Sequence, residues 1–313
     1  MPPVPVLCEL TATDEHEGVR LDVLLARTLA CTRGQARRMI EDGAAYIGGR
    51  RCTLPGQTVK AGEHIRVLPA APDRTGIGGG DLEVLHRDAD LLVVVKPAGL
   101  PTQPPPRGGD ALSKRVRKLL AEEGGTPPRL GEVHRLDRDV SGLVVYGLNG
   151  MATASLAEQF RDHTARRSYL AIVRTALPVV VQTIEEPIAE RAPGVMTLDP
   201  TGMPARSHVI PLDFDEEHRL ALVRVTLETG RTHQVRLHLG WALGPLVGDA
   251  LYGDPLPTPA GQPPRIALHA ALLQCRHPRT GEPTRWRREP APDFWAVVGE
   301  TTLQLPEHWE EAL

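Results

Sequence analysis

The chain has only four cysteines in 313 residues, Cys8, Cys31, Cys52 and Cys275, and no two of them form a C-x-x-C pair. That spacing argues against a zinc ribbon, an iron–sulfur site or a disulfide framework and fits a reducing cytoplasm. Lysine is equally scarce: Lys60, Lys96, Lys114 and Lys118 are the only ones among 36 basic residues. Beside 30 glycines and 30 prolines the scarcity reads as GC-rich coding, so the arginine count by itself identifies no partner. Aromatic residues number eleven (three Phe, four Trp, four Tyr), so each one in a polar setting stands out. No apolar run approaches the roughly 20 residues that a membrane helix needs, and 91–95 is typical of the longest. The opening Met1-Pro-Pro-Val-Pro has neither a basic stretch nor a continuous apolar one, unlike a secretory signal.

What is present suits a soluble protein of two domains, 41% hydrophobic and 24% charged. The formal charge of −3 hides an asymmetry: residues 17–68 hold nine Lys/Arg and five Asp/Glu, a net of +4, which leaves −7 on the rest. In this basic head, Leu21, Leu24 and Leu25 have helical spacing, and Thr32 is placed to cap a second helix that Gly43 ends. Short strands are expected near 44–47 and 64–67, with Gly48-Gly49 as a turn. Arg33, Arg37 and Arg38 fall near one another on the second helix, a surface suited to phosphates, although a solvated face is the commoner fate of such a cluster. The expected division is a head over 1–70, a Gly/Pro linker over 71–80, a body over 81–300 and a tail over 301–313. The linker glycines lack the flanking strand and helix of a dinucleotide-binding turn.

Strand patterns dominate the body, at 82–85, 91–95, 142–147, 168–173, 208–214, 220–227 and 266–273; helices are expected at 112–123, 151–163 and 232–241. Strands are not each followed by a crossover helix, so the fold class is α+β with a largely antiparallel sheet. The densest polar segment, His134-Arg-Leu-Asp137-Arg-Asp-Val-Ser-Gly142, leads into a buried strand, where a carboxylate is held rigidly yet faces a cleft. Asp137 is a candidate nucleophile or base; a turn aspartate bonded to its own backbone is the plainer alternative. Gly230-Arg231-Thr232-His233-Gln234 stands at a strand-to-helix corner, with Thr232 as the expected cap. Arg231 delivered there would keep a buried Asp137 ionised, the alternative being a surface arginine. Tyr169 shares a strand face with Ala171, which makes it either a stacking platform for a planar ring or a core tyrosine. His233 and His238 are five apart, poor for one helical face, and read as structural rather than metal-binding.

Together these segments resemble the RluA family of pseudouridine synthases. HRLDRDVSG looks like the family's highly specific HRLD-x-x-T-S-G signature, and FRDHTARRSYLAIV is similar to its tyrosine motif. LETGRTHQVRLHLGWALGPLVGDALYG resembles its arginine motif and the segment after it, while VVVKPAGLPTQP and IALHAALLQCRHP match more loosely. The resemblance runs over roughly 81–280 in the family's order. The head, RLDVLLARTLACTRGQARRMIEDGAAYIGGRR, is similar over about fifty residues to the αL RNA-binding module (the S-four fold). Two positions depart from the family: Val140 stands where threonine is usual and Arg167 where lysine is common. The resemblance implies an isomerase that detaches uracil from ribose, rotates it and rejoins it through ring carbon 5, with no cofactor and no metal. It makes Asp137 the essential carboxylate, attacking the anomeric carbon, adding to ring carbon 6 or taking the 2′ proton. Arg231 would orient it, Tyr169 would stack on the uracil, and the base would be flipped into the pocket. Arg135 is a candidate to fill the vacated space or contact phosphate. Arg33, Arg37 and Arg38 would bind RNA, as would the basic run Lys114, Arg115, Arg117 and Lys118, unless that run is a solvated helix face. The acidic body requires that the head and a locally basic cleft do the docking.

Large-subunit ribosomal RNA is the expected substrate, in the cytoplasm, for a monomer with no obligate protein partner and no membrane association. The alternatives are transfer RNA, or a non-catalytic RNA-binding or ribosome-assembly protein on the same fold. A methyltransferase or hydrolase would need a glycine-rich cofactor loop or a G-x-S-x-G elbow, and the sequence has neither.

Overall fold

In the computed structural model, which describes residues 8–41, 44–48, 50–52, 54–67, 82–105, 108–122, 129–192, 194–253 and 265–311, the leucines of the basic head line the buried face of α1 (Leu21–Thr28). The next helix, α2 (Arg33–Glu41), begins at a reciprocal cap: the Gln35 N–H donates to Thr32 Oγ1 at 3.2 Å and the Thr32 N–H donates to Gln35 Oε1 at 2.8 Å. Gly43 and Gly49 lie outside the described residues, while Gly48 takes a φ of 55° at the turn. The strands β1 (Cys8–Thr11), β2 (Ala45–Ile47), β3 (Arg50–Cys52) and β4 (His64–Val67) form an antiparallel sheet in the order β1-β4-β2-β3. Ile65 and Val67 meet Leu21, Leu25, Ala36 and Ile40 in one small core.

The head and the body form two separate compact units, and the linker over 71–80 lies outside the described residues. In the body, β5 (Val84–Arg87), β6 (Leu91–Lys96), β7 (Gly131–Glu132), β8 (Ser141–Gly147), β9 (Arg166–Arg174), β10 (Gln182–Ile184), β13 (Ser207–Asp215), β14 (Leu220–Leu227), β15 (Leu268–Arg276) and β16 (Pro283–Arg287) form one ten-stranded sheet. Its main path runs β10-β13-β14-β9-β15-β8-β6-β5, and only the β15–β8 pair is parallel. A separate hairpin joins β11 (Ile188–Ala192) to β12 (Val195–Leu198). All seven residues of β8 are buried because both sheet faces are covered. Val144 and Tyr146 face α3 (Leu112–Glu122) and α5 (Gln234–Ala242), whereas Leu143 and Val145 face α4 (Gly150–Arg161).

All four cysteines are free. A short helix, α6 (Pro292–Ala296), follows β16. Residues 301–311, expected as a tail beyond the body, pack against β13 and β14. Arg224 donates to the carbonyls of Trp309 and Glu310, the Thr302 N–H donates to Asp215, and Trp309 is buried.

His269 on β15 is fully enclosed: Ser141 Oγ lies 2.8 Å from its Nδ1, and its Nε2–H donates to the Arg288 carbonyl at 2.9 Å. Burial pushes its pKa down to about 3, the Arg288 carbonyl opposes the shift, and the charges of Arg265 and Arg288 reinforce it. The folded imidazole therefore stays neutral where the unfolded one takes up a proton. Stability falls as pH drops below about 6.5, by about 1.4 kcal/mol per unit, down towards the folded value. Urea denaturation should show roughly 2 kcal/mol less stability at pH 5 than at pH 7 from this residue, and His269→Gln should flatten that dependence.

Candidate active site

Asp137 sits on a braced loop. Lys96, fully buried at the end of β6, donates from Nζ to the carbonyls of Pro97 (2.9 Å), Leu100 (2.7 Å) and Arg138 (2.9 Å). Burial pushes its pKa down to about 7, against the pull of Asp139 and Asp137, but three carbonyl partners are fully satisfied only by the three N–H groups of the ammonium form. Thr102 Oγ1 donates to the Leu136 carbonyl at 2.7 Å and accepts the Leu136 N–H at 3.0 Å. His134 Nε2 accepts the Val145 N–H at 3.0 Å, and its ring stacks on Phe160. The looser motif around Lys96 and Thr102 thus holds the loop from below.

The corner opposite closes differently from the expectation. Thr232 is exposed and does not cap α5; His233 occupies the cap position in the left-handed region, at φ 57° and ψ 16°. Gln234 ties the turn instead, its Oε1 accepting the Arg231 N–H at 3.0 Å and the Thr229 hydroxyl at 2.8 Å. With the corner built this way, the Nε of Arg231 donates to the Pro204 carbonyl at 3.0 Å. The cation on Asp137 is Arg236, one turn into α5, whose side chain points back toward the helix start. Its Nη1 donates to Asp137 Oδ2 at 3.1 Å, while its Nε and Nη2 each reach Asp249 at 2.8 Å. Burial alone would lower the Arg236 pKa, but the hydrogen bonds and charge of Asp249, together with Asp137, hold it above the ordinary value.

Asp137 also has His233 Nε2 at 3.6 Å, again on Oδ2. Its Oδ1 accepts no hydrogen bond from any described residue and is the open oxygen of the pair. The pocket around it is lined by Arg135, Arg167, Arg231, Arg236, Tyr169 and Val140 among others. Four arginines and one carboxylate thus line the pocket, with Arg236 also held by Asp249. Tyr169 is 6% exposed, and burial raises its phenol pKa, with Asp137 adding to the shift and Arg167 opposing it. Val140 is buried in the pocket wall.

Asp137, Tyr169, Arg231 and Arg135 are therefore brought to one pocket, with Arg135 exposed. Arg33, Arg37 and Arg38 belong to the head. Arg38 is exposed and Arg37 half-buried, whereas the Nε of Arg33 donates at 3.0 Å to the buried Asp22, which also takes both Nε and Nη2 of Arg20. The basic run on α3 is mostly engaged locally: Arg115 pairs with Asp110, Arg117 with Glu132 and Lys118 with Glu122. His238 is structural, bonded to Ser207 Oγ and the Glu186 carbonyl, but His233 is not confined to that role. Arg236, Asp249 and Tyr252 are the site residues that sequence patterns did not single out; the available signal was an arginine between Val235 and Leu239 on the apolar side of a helix.

Among the described residues, one group has metal-ligand spacing, Asp88, Asp90 and His277. Its atoms are already engaged. Asp90 holds Arg279 through two bonds, Asp88 accepts two backbone N–H groups and His86, and His277 Nδ1 accepts the Arg279 N–H. It braces the turn between β5 and β6.

Comparison with known proteins gives the same assignment in both units. The sequence family described as RNA pseudouridylate synthase matches residues 90–241, and the S4 domain matches 19–65. Ribosomal large subunit pseudouridine synthase D of Vibrio vulnificus is 33% identical over 310 residues, 94% of either chain. The protein of that name from Nitrosomonas europaea is 34% identical over 313 residues, 95% of this chain and 88% of the relative. Human RNA pseudouridylate synthase domain containing 1 aligns with a TM-score of 0.59 and 25% identity over 75% of this chain and 95% of its own. With that identity sustained along nearly the whole length, the chain belongs to the RNA pseudouridylate synthase family and carries an S4 domain at its N-terminus.

Proposed function

We propose that this enzyme isomerises uridines of large-subunit ribosomal RNA to pseudouridine and that Asp137 is its essential carboxylate. The observation that carries the assignment is the asymmetric hold on Asp137: the contacts from Arg236 and His233 fall on Oδ2, and Oδ1 is left open in an arginine-lined pocket beside Tyr169. A carboxylate hydrogen-bonded to a buried guanidinium, with one free oxygen, suits attack on a sugar or ring carbon or removal of a 2′ proton. Tyr169 stacks on the flipped uracil, and Arg135, exposed at the pocket, fills the gap in the helix or meets phosphate. Arg231 keeps one N–H group on Pro204, which leaves the rest of its guanidinium for RNA. The S4 unit and the ribosomal names of the similar proteins favour ribosomal over transfer RNA, and ribosomal RNA places the reaction in the cytoplasm.

The test is tritium release from ribosomal and transfer RNA labelled at uracil carbon 5, isolated from a strain lacking the gene. Release from large-subunit RNA is the expected result. Release from transfer RNA alone overturns the substrate, and tight binding without release from any RNA overturns the reaction.

A further inference from the structure

Resting on that reading of Asp137, we propose that His233 is a positioning residue for the reaction, its imidazole fixed by Tyr252 in the tautomer that presents an Nε2 proton to the carboxylate. Hydrogen-bond polarity selects that tautomer. Tyr252 Oη accepts the Met196 N–H at 2.8 Å and lies 2.6 Å from His233 Nδ1. With one lone pair already taken by Met196, the phenol has its own proton to give, and Nδ1 receives it. The ring proton is then on Nε2, 3.6 Å from Asp137 Oδ2. The opposite tautomer would aim a bare lone pair at a carboxylate.

Two further observations support the assignment. His233 is held in the left-handed backbone region, which a non-glycine residue adopts at a cost and which is concentrated at functional sites. The groups facing it are Asp137, Arg236, Asp249, Arg135 and Tyr252. Burial lowers its pKa, the carboxylates of Asp137 and Asp249 oppose that shift, and Arg236 and Arg135 reinforce it, so the ring is neutral and a donor rather than a second cation. Arg236 and His233 together fix Oδ2 and leave Oδ1 to the substrate. A separation of 3.6 Å in the free protein closes to a hydrogen bond when the site fills.

The experiment compares Tyr252→Phe, His233→Asn and His233→Gln in single-turnover tritium release at saturating enzyme, using the full chain and the labelled RNA described above. Asn accepts the left-handed backbone readily, but its amide ends near Nδ1 and cannot reach Asp137; the longer Gln amide can. Tyr252→Phe and His233→Asn should lose about 10- to 100-fold in rate with half-saturation unchanged. The acid limb of their pH–rate profile should move upward, because a carboxylate that loses a donor binds its proton more tightly. His233→Gln should recover much of the rate. Tyr252→Phe removes a single oxygen, and melting curves will establish that each variant is folded. Rates within two-fold of wild type in both Tyr252→Phe and His233→Asn overturn the proposal. Equal losses in Asn and Gln with an unmoved acid limb also overturn it. Asp137→Asn in the same assay separates the two readings: retained release there overturns the role of Asp137 itself, whereas its loss beside unaffected His233 variants overturns only the role of His233.

Discussion

Asp137→Asn should reduce tritium release by at least about 10⁴-fold while leaving the protein as stable as wild type. The two halves of that expectation come from different sides of one guanidinium. An amide has nearly the shape of a carboxylate, and its oxygen can still accept from Arg236 Nη1, now at 3.1 Å from Asp137 Oδ2. It has neither the charge nor the basic lone pairs that an attacking or proton-abstracting oxygen needs. Arg236 meanwhile does not become an orphan cation, because Asp249, itself buried, holds it through two bonds of 2.8 Å. Removing one partner of a buried pair costs several kcal/mol only when the other is left uncompensated. Urea denaturation run beside the release assay should therefore give a change within about 1 kcal/mol. A variant that loses activity and stability together would make Asp137 a brace of the loop, and release at a hundredth of the wild-type rate or more would assign the chemistry to another group.

A large stability effect is expected from Gly142→Ala. Gly142 pairs with Lys96 on one side and lies in the parallel register with Ala270 on the other. A methyl group at this position would meet the Ala270 carbonyl oxygen at 2.3 Å and its nitrogen at 2.5 Å, both backbone atoms at the centre of the sheet. Its φ of 123° adds strain for any L side chain. The expected cost is about 4 kcal/mol, combining backbone displacement with the conformational penalty. For a unit of this size that lowers the melting temperature by roughly 8–16 °C. Gly150→Ala is the control: nothing lies within 4 Å of its added carbon, and it opens α4, so it should be neutral or slightly stabilising. Equal melting temperatures for the two variants would show that β8 and β15 can separate without loss.

The strands that read most clearly from sequence are those buried on both faces. Leu91–Lys96 and Ser141–Gly147 are almost unbroken apolar runs, and Leu220–Leu227 coincides with its expected bounds to the residue. The pieces that escaped are short or polar. Ile188–Ala192 carries Glu190 and Arg191, and β7 has two residues, so neither builds a recognisable period. At the site, Asp137 and Tyr169 were legible because each lies in a distinctive segment. The partner of Asp137 was not, because a pairing across 99 residues leaves no trace in local spacing, and Arg231 at the glycine corner was the more conspicuous of two arginines. Thr232 has the chemistry of a helix cap and sits one residue too early, since His233 takes the left-handed turn and Gln234 supplies the hydrogen bonds. Lys96 had a signal in retrospect: one of only four lysines, placed at the end of an apolar strand.

The place of β15 in the sheet bears on the order in which the chain is made. Asp137 precedes β8, on the half of the sheet that continues through β6 to β5, whereas Tyr169 lies on β9 and Arg236 follows β14, on the other half. Among the described residues, no ladder joins the two halves except through β15, whose residues emerge from the ribosome more than a hundred positions after Asp137. A nascent chain that has completed β14 and α5 thus carries every pocket side chain except Leu268 but has no strand to bring the two halves together. Fragments that stop before β15 hold the signature residues but lack the strand that joins the two halves around the pocket.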